Sequence, residues 1–381
     1  MKLACLLLSF ALPLSGAGKN IPALAPRTRI VLDKLIQEPE SLMGDPRHDI
    51  AALSFSPDGA RLAVVVGQHR HEALTLLHFL VVGLDHVERV LWQLDLPSKF
   101  GFVDSLRWSD DGHLLFLQFP DRVLLVGAQT GLKVCESPGY GGGRRSAFNV
   151  PGGFIGSNLY VVGRSGDVLK KDGWLRFYDL SCRLVMQGPA QACPLSGDTA
   201  PVAGLFAMAD SENRIVALQP DGQERFSIQD SRVHLRVAFL NSGRMLCSGK
   251  LPGPDDGSLR CWVLDTPSPT LFRHYEVHNG GTAPFVVSSA GSIAMIAESG
   301  FSYNPLTENI RSPLKRYVIW DVTSGRTLGA ITPRKQWRAA FGEAFPRKLV
   351  DSLVFAVSGS GALIALVDRE FIEIFDVPKP D

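Results

Sequence analysis

Few residues in this chain stand at spacings that could do chemistry. His69 and His71 flank Arg70, and a histidine pair two residues apart holds a metal ion only when ligands arrive from elsewhere. No such ligands are recognisable, so the pair reads as part of a solvated loop. Gly139-Tyr140-Gly141-Gly142-Gly143-Arg144-Arg145 has the composition of a phosphate cradle. A cradle needs a strand before it and a helix after it; here a strand follows, and the stretch reads as a connection. Asp58, Asp110, Asp111 and Asp221 recur beside glycine-ended turns and belong to them rather than to a carboxylate pair. Ser358-Gly359-Ser360-Gly361 lacks the spacing of a nucleophile elbow and reads as a hairpin turn. No catalytic, cofactor-binding or metal-ligating set is expected, and no cofactor.

The cysteines are the remaining reactive groups. Cys5 lies in an apolar leader; Cys135, Cys182, Cys193, Cys247 and Cys261 follow it. Cys247 and Cys261 fall on neighbouring strand-like runs, and Cys182 and Cys193 flank a short connection. Either pair could bridge, with buried thiols as the alternative. The odd number leaves at least one thiol outside any intrachain bridge.

The elements that carry these residues form a repeat. Ile50 to Val66 reads IAALSFSPDGARLAVVV, two apolar β-branched runs about a Ser-Pro-Asp-Gly turn, hence a β-hairpin. SLRWSDDGHLLFLQ replays it, as do LRVAFLNSGRMLCSG, PFVVSSAGSIAMIAES and SLVFAVSGSGALIALV. Each hairpin but the last is followed by two further runs. In the fourth unit the first strand must come from around Ala192 to Val202. The last unit stops after three strands, and Arg27 to Leu32 can supply its fourth. Seven units of about 40 to 55 residues predict an all-β fold: a seven-bladed β-propeller of four-stranded antiparallel blades, closed by the N-terminal strand. The best helix candidate is Trp337 to Phe345.

SFSPDGARLAVV and YVIWDVTSGRTL resemble bacterial WD-repeat propellers and their lactonase-like and quinoprotein-like relatives. In that pattern the Pro-Asp-Gly turn joins the first two strands and an aromatic-Asp pair ends the third, as at Tyr178-Asp179, Trp320-Asp321 and Phe375-Asp376. The family's Gly-His dipeptide before the first strand is missing. Only His48 and His278 stand at comparable places, and His278 with Trp320 could form one such network within a single unit.

Lys2, the apolar run Leu3 to Leu14 and the small residues Ser15-Gly16-Ala17 predict a cleaved signal over residues 1–17, followed by one propeller over residues 18–381. A dozen apolar residues fall short of the roughly 20 that span a bilayer, so no transmembrane segment is expected in the mature chain. With 39 basic and 38 acidic residues, no global field favours nucleic acid. The chain is expected to be exported, periplasmic or extracellular, and a monomeric ring.

Propeller topology sorts the loops. Turns between first and second strands, and between third and fourth, share one face and are short. The long segments share the other: 67–73, 139–145, 164–173, 189–201, 250–257, 300–316 and 333–347. Binding residues usually reside on loops held by a rigid scaffold. The expected function is therefore a non-enzymatic protein-interaction scaffold that binds a protein or peptide through the long-loop face. The candidate contacts are Arg144, Arg145, Lys170, Lys171, Tyr303, Arg311, Lys315 and Trp337. The alternative is a propeller enzyme or a small-molecule or cofactor binder that uses the channel mouth, which needs polar groups converging from several blades.

Overall fold

A computed structural model describes residues 21–31, 35–36, 47–70, 73–85, 89–97, 103–119, 121–138, 152–155, 158–164, 173–190, 194–200, 205–210, 212–219, 221, 223–240, 243–250, 256–263, 269–278, 285–299, 302–304, 309–311, 314–332, 354–368 and 371–379. After β1 (Thr28–Val31), blade 1 is β2 (Arg47–Phe55), β3 (Arg61–Arg70), β4 (Ala73–Gly83) and β5 (Val90–Leu96). Blade 2 is β6 (Ser105–Trp108), β7 (Leu114–Gln118), β8 (Arg122–Gly127) and β9 (Lys133–Pro138). Blade 3 is β10 (Gly152–Ile155), β11 (Asn158–Arg164), β12 (Gly173–Asp179) and β13 (Leu184–Ala190). Blade 4 is β14 (Pro194–Ala200), β15 (Leu205–Asp210), β16 (Arg214–Leu218) and β17 (Glu224–Gln229). Blade 5 is β18 (Val233–Leu240), β19 (Arg244–Lys250), β20 (Asp256–Val263) and β21 (Thr270–His278). Blade 6 pairs β22 (Phe285–Val287), β23 (Ile293–Ser299), β26 (Leu314–Asp321) and β27 (Arg326–Ile331), with a separate hairpin of β24 (Ser302–Asn304) and β25 (Asn309–Arg311) between β23 and β26. Blade 7 is β28 (Phe355–Val357), β29 (Leu363–Asp368) and β30 (Phe371–Asp376), completed by β1 in the order β1-β30-β29-β28.

The first strands β2, β6, β10, β14, β18, β22 and β28 touch in turn, and β28 returns to β2. This is the seven-bladed ring. β1 pairs antiparallel with β30, Thr28 opposite Ile374 and Val31 opposite Phe371, so the N-terminal strand closes it. The closure is specific, because both Nε and Nη2 of Arg29 donate to Oε1 of the buried Glu373.

Among the described residues the apolar core is divided. Strand side chains alternate between two faces, and each face of a blade meets one neighbour, so the apolar residues collect in seven seams. Leu62, Val64 and Ile372 pack between blades 7 and 1, and Val65, Phe79 and Leu117 between blades 1 and 2. Phe116 and Leu159 fill the 2–3 seam, Tyr160 and Phe206 the 3–4 seam. Val237 and Cys247 lie in the 4–5 seam, Cys261 and Trp320 in the 5–6 seam, and Tyr317 and Phe375 in the 6–7 seam.

Neither of the two cysteine pairs that could bridge does so. Leu246 stands opposite Cys261, and Cys247 opposite Arg260. The two cysteines are out of register by one, so they enter different seams and cannot bridge. Cys182 does not pair with Cys193, which lies outside the described residues. It bonds instead to Cys135, with Cα atoms 5.8 Å apart. Cys135 is on β9 and Cys182 is in the turn between β12 and β13, so the bridge joins the outer strand of blade 2 to blade 3.

Two of the expected long loops are largely strand. β3 runs on to Arg70 and β4 starts at Ala73, opposite it. β13 reaches Ala190, and β14 begins at Pro194, within the stretch expected for the missing strand of blade 4. Gly67 and Pro189 look like breaks in the sequence, yet the ladder continues through both, and Pro194 begins a strand. β10, with the sequence GGFI, was not foreseen. The helix candidate at 337–345 lies outside the described residues.

One irregularity recurs. In blades 1 to 6 the register between third and fourth strands slips once, leaving Leu91, Val134, Val185, Arg225, Phe272 and Leu328 as the extra residue of a bulge.

Candidate functional site

The short-turn face is built by a buried serine. Ser56, Ser109, Ser288 and Ser358 each follow a first strand, and each hydroxyl accepts the N–H five residues on, from Arg61, Leu114, Ile293 and Leu363, at 2.9 to 3.0 Å. Gly59, Gly112 and Gly361 complete three of these turns with positive φ. The turns also lock to one another. The Ala290 N–H donates to Gly359 O at 2.8 Å, a Cβ on Gly359 would lie 2.7 Å from Pro57 O, and Arg61 donates to Gly112 O at 3.2 Å while covering the Trp108 ring. Blades 6, 7, 1 and 2 thus form a continuous arc of touching turns, hydrogen-bonded between 6 and 7 and between 1 and 2 and closely packed between 7 and 1.

The carboxylates on this face cap turns. Burial raises the Asp58 carboxyl, but bonds from Ser56 and the Ala60 N–H, with the Arg61 charge, outweigh it and leave it below its ordinary range. The Ser109 hydroxyl and the His113 N–H hold Asp111 low in the same way. At Asp321 burial is again outweighed, by Ser292 and Ser324. These aspartates are ionised structural acceptors, and none is poised to carry a proton near neutrality.

Two places stand out on the opposite face. Blade 4 joins blade 5 through only Asp230, Ser231 and Arg232. The fully buried Arg232 gives Nε and Nη2 to the two oxygens of Asp230, at 2.9 and 2.6 Å, and Nη1 to Cys247 O at 3.2 Å. Nearby, Asp210 accepts the N–H groups of Glu212 and Arg214 and pairs with the Arg214 guanidinium at 3.0 Å. The Asp-x-Arg spacing of the first pair is visible in the sequence, but it carries no sign that the pair is buried.

The second place is the long segment of blade 6. It carries the β24–β25 hairpin, in which Tyr303 stands opposite Ile310 and Arg311 opposite Ser302. Its root is pinned where Arg316 pairs with Glu298 at 2.6 Å. Of the expected contact residues, Tyr303 and Arg311 lie on this hairpin and Lys315 on β26 just after it. Arg144, Arg145, Lys170, Lys171 and Trp337 lie outside the described residues, as does His71. His69 is on β3 opposite Leu74. His278 ends β21 in blade 5 and Trp320 is on β26 in blade 6, so the two do not share a blade. Among the described residues no group of three or more His, Cys, Asp or Glu side chains could hold a metal ion, and no helix is long and apolar enough to cross a membrane.

Seven four-stranded blades closed by an N-terminal strand define a seven-bladed β-propeller, and in blades 1, 2, 6 and 7 a buried serine knots the turn between the first two strands. Solved structures agree. A chain of the mitotic checkpoint complex superposes with a TM-score of 0.61 at 13% identity, covering 100% of this chain and 99% of that one. The β-propeller domain of Myceliophteria thermophila Cps50 (Swd1) gives 0.57 at 12% identity, covering 89% and 99%. No protein-family profile matches the chain, and no curated protein matches it. At these identities the likeness concerns the fold.

Proposed function

We propose that this protein is an exported, non-enzymatic propeller that binds a protein or peptide partner through its long-loop face. The observation that carries the reading is the β24–β25 hairpin. It contributes no strand to the ring, yet it stands between β23 and β26, where blades 1 and 2 connect the same strands through two and three residues (71–72 and 119–121). Extra structure on a rigid scaffold is where recognition usually resides, and Tyr and Arg, both present here, are favoured anchors. One fold neighbour is a chain of a multiprotein complex. The Cys135–Cys182 bridge supports export, since disulfides persist in oxidising compartments.

The test places a photo-crosslinking residue at Tyr303 and, on the opposite face, at Ala60, in the chain expressed in its own cells. A discrete adduct from position 303 that is missing from position 60 is expected. An adduct from position 60 alone, or from neither, overturns the assigned face. Mature protein that keeps Met1 and stays in the cytosol overturns export.

A further inference from the structure

Ahead of β1 the chain makes a second attachment, on another blade. Ala23 pairs in parallel with Ala330, on the outermost strand of blade 6. The Leu24 N–H donates to Ala330 O at 3.0 Å, and the Ala330 N–H donates to Pro22 O at 2.9 Å. The Leu24 side chain joins Leu328 and Val377 over the 6–7 seam. From there the arm crosses to blade 7, where the Arg27 N–H donates to Ile374 O at 2.7 Å and its guanidinium meets Asp376 at 3.2 Å.

The blade 6 attachment is shaped for this segment. A Cβ on Gly329 would stand 3.1 Å from both Cγ and Cδ2 of Leu24 and 3.3 Å from Pro22 O. In blades 1 to 5 the residue at the same place, the first after the bulge, is Trp92, Cys135, Met186, Phe226 or Arg273. Only β27 of these six strands lacks a side chain there. The bulge residue before it, Leu328, is partly buried, whereas Val134 and Val185 on blades 2 and 3 are 51% and 60% exposed.

We propose that the outer edge of β27 at Gly329 is a docking slot for a short extended apolar segment, filled by the chain's own Pro22–Leu24. The arm is then a latch with two separate anchors, one on each side of the seam between blades 6 and 7, and the slot accepts the same segment supplied in trans.

The test uses the whole mature chain and amide hydrogen exchange at Ala330. Leu24→Asp withdraws an apolar side chain whose burial shifts an opening equilibrium by about tenfold or more. Exchange at Ala330 rises by that factor, while amides bonded between β1 and β30 stay protected. A synthetic peptide of residues 21–27 then binds the Leu24→Asp chain saturably and restores protection at Ala330. The same peptide with Asp in place of its leucine does neither, and a Gly329→Val chain does not take the unmodified peptide. Unchanged exchange at Ala330 in the Leu24→Asp chain, or equal binding of the two peptides, overturns the slot.

Discussion

Removing the Cys135–Cys182 bridge should lower the melting temperature by about 5 °C. The bridged residues are 47 apart in sequence. In the chain-entropy picture, closing a loop of that size removes about 14 cal/mol/K from the unfolded ensemble, about 4 kcal/mol at 25 °C. A chain of 381 residues gains roughly 0.8 kcal/mol/K of entropy on unfolding, and the ratio of the two gives the shift. The folded state loses little by comparison, because Phe116, Leu159 and Tyr178 fill the seam around the sulfurs and remain in place. The assay is calorimetry of the oxidised protein, the reduced protein and a Cys135→Ser/Cys182→Ser variant. Reduced and variant proteins should coincide, and reductant should leave the variant unmoved. Equal melting temperatures for oxidised and variant proteins would refute the reasoning. So would alkylation of Cys135 and Cys182 in the native, unreduced protein.

Asp230→Ala strands the buried Arg232 charge and should cost about 3–5 kcal/mol in urea unfolding, whereas replacing both partners with apolar residues should recover much of it. Asp58, Asp111 and Asp321 all have lowered folded-state pKa values. Their stabilisation is full above the unfolded value of about 4 and is lost as pH falls through the folded values; Asp111→Asn should flatten that acid limb in a pH series of melting curves. Gly361→Ala meets both a positive φ and Ile293 Cγ1 at 2.7 Å, so it should destabilise by more than about 1 kcal/mol. Ala362→Ser, one residue on and exposed, should be neutral in the same melts.

The ring and its closure were legible because the signal is local and repeated. A buried serine, a glycine three residues on and a resumed apolar run fit within a dozen residues, and recurrence turns a weak pattern into a fold. The aromatic-Asp endings were legible for the same reason: Asp179 and Asp321 each cap the turn that follows by accepting N–H groups two to four residues ahead. The cysteine pairing was not legible. Whether Cys247 and Cys261 share a seam depends on the parity of the β19–β20 register, which a one-residue shift reverses. Loop extents failed where the β3–β4 hairpin runs through Gly67 and where β13 runs through Pro189, since ladder bonds outweigh local propensity there. The candidate face was chosen from loop lengths, and the β24–β25 hairpin is the element that the structure adds to it. Within the long segment 300–316, Tyr303 and Arg311 lie on a hairpin and Lys315 on β26, and that hairpin is what no spacing in the sequence announces.

The bulged outer strands bear on how such molecules behave in a crowded solution. A ring of sheets presents its last strands outward, with backbone donors and acceptors that could zip onto the same strands of a neighbour. Here Leu132, Val134, Leu184 and Val185 would add apolar contact to that pairing. A bulge near the start of each of these strands breaks the even spacing of the edge just where those side chains emerge. Two perimeters brought together could match over only a few residues before losing register. The rim can therefore carry apolar side chains without becoming a seed for sheet-to-sheet aggregation.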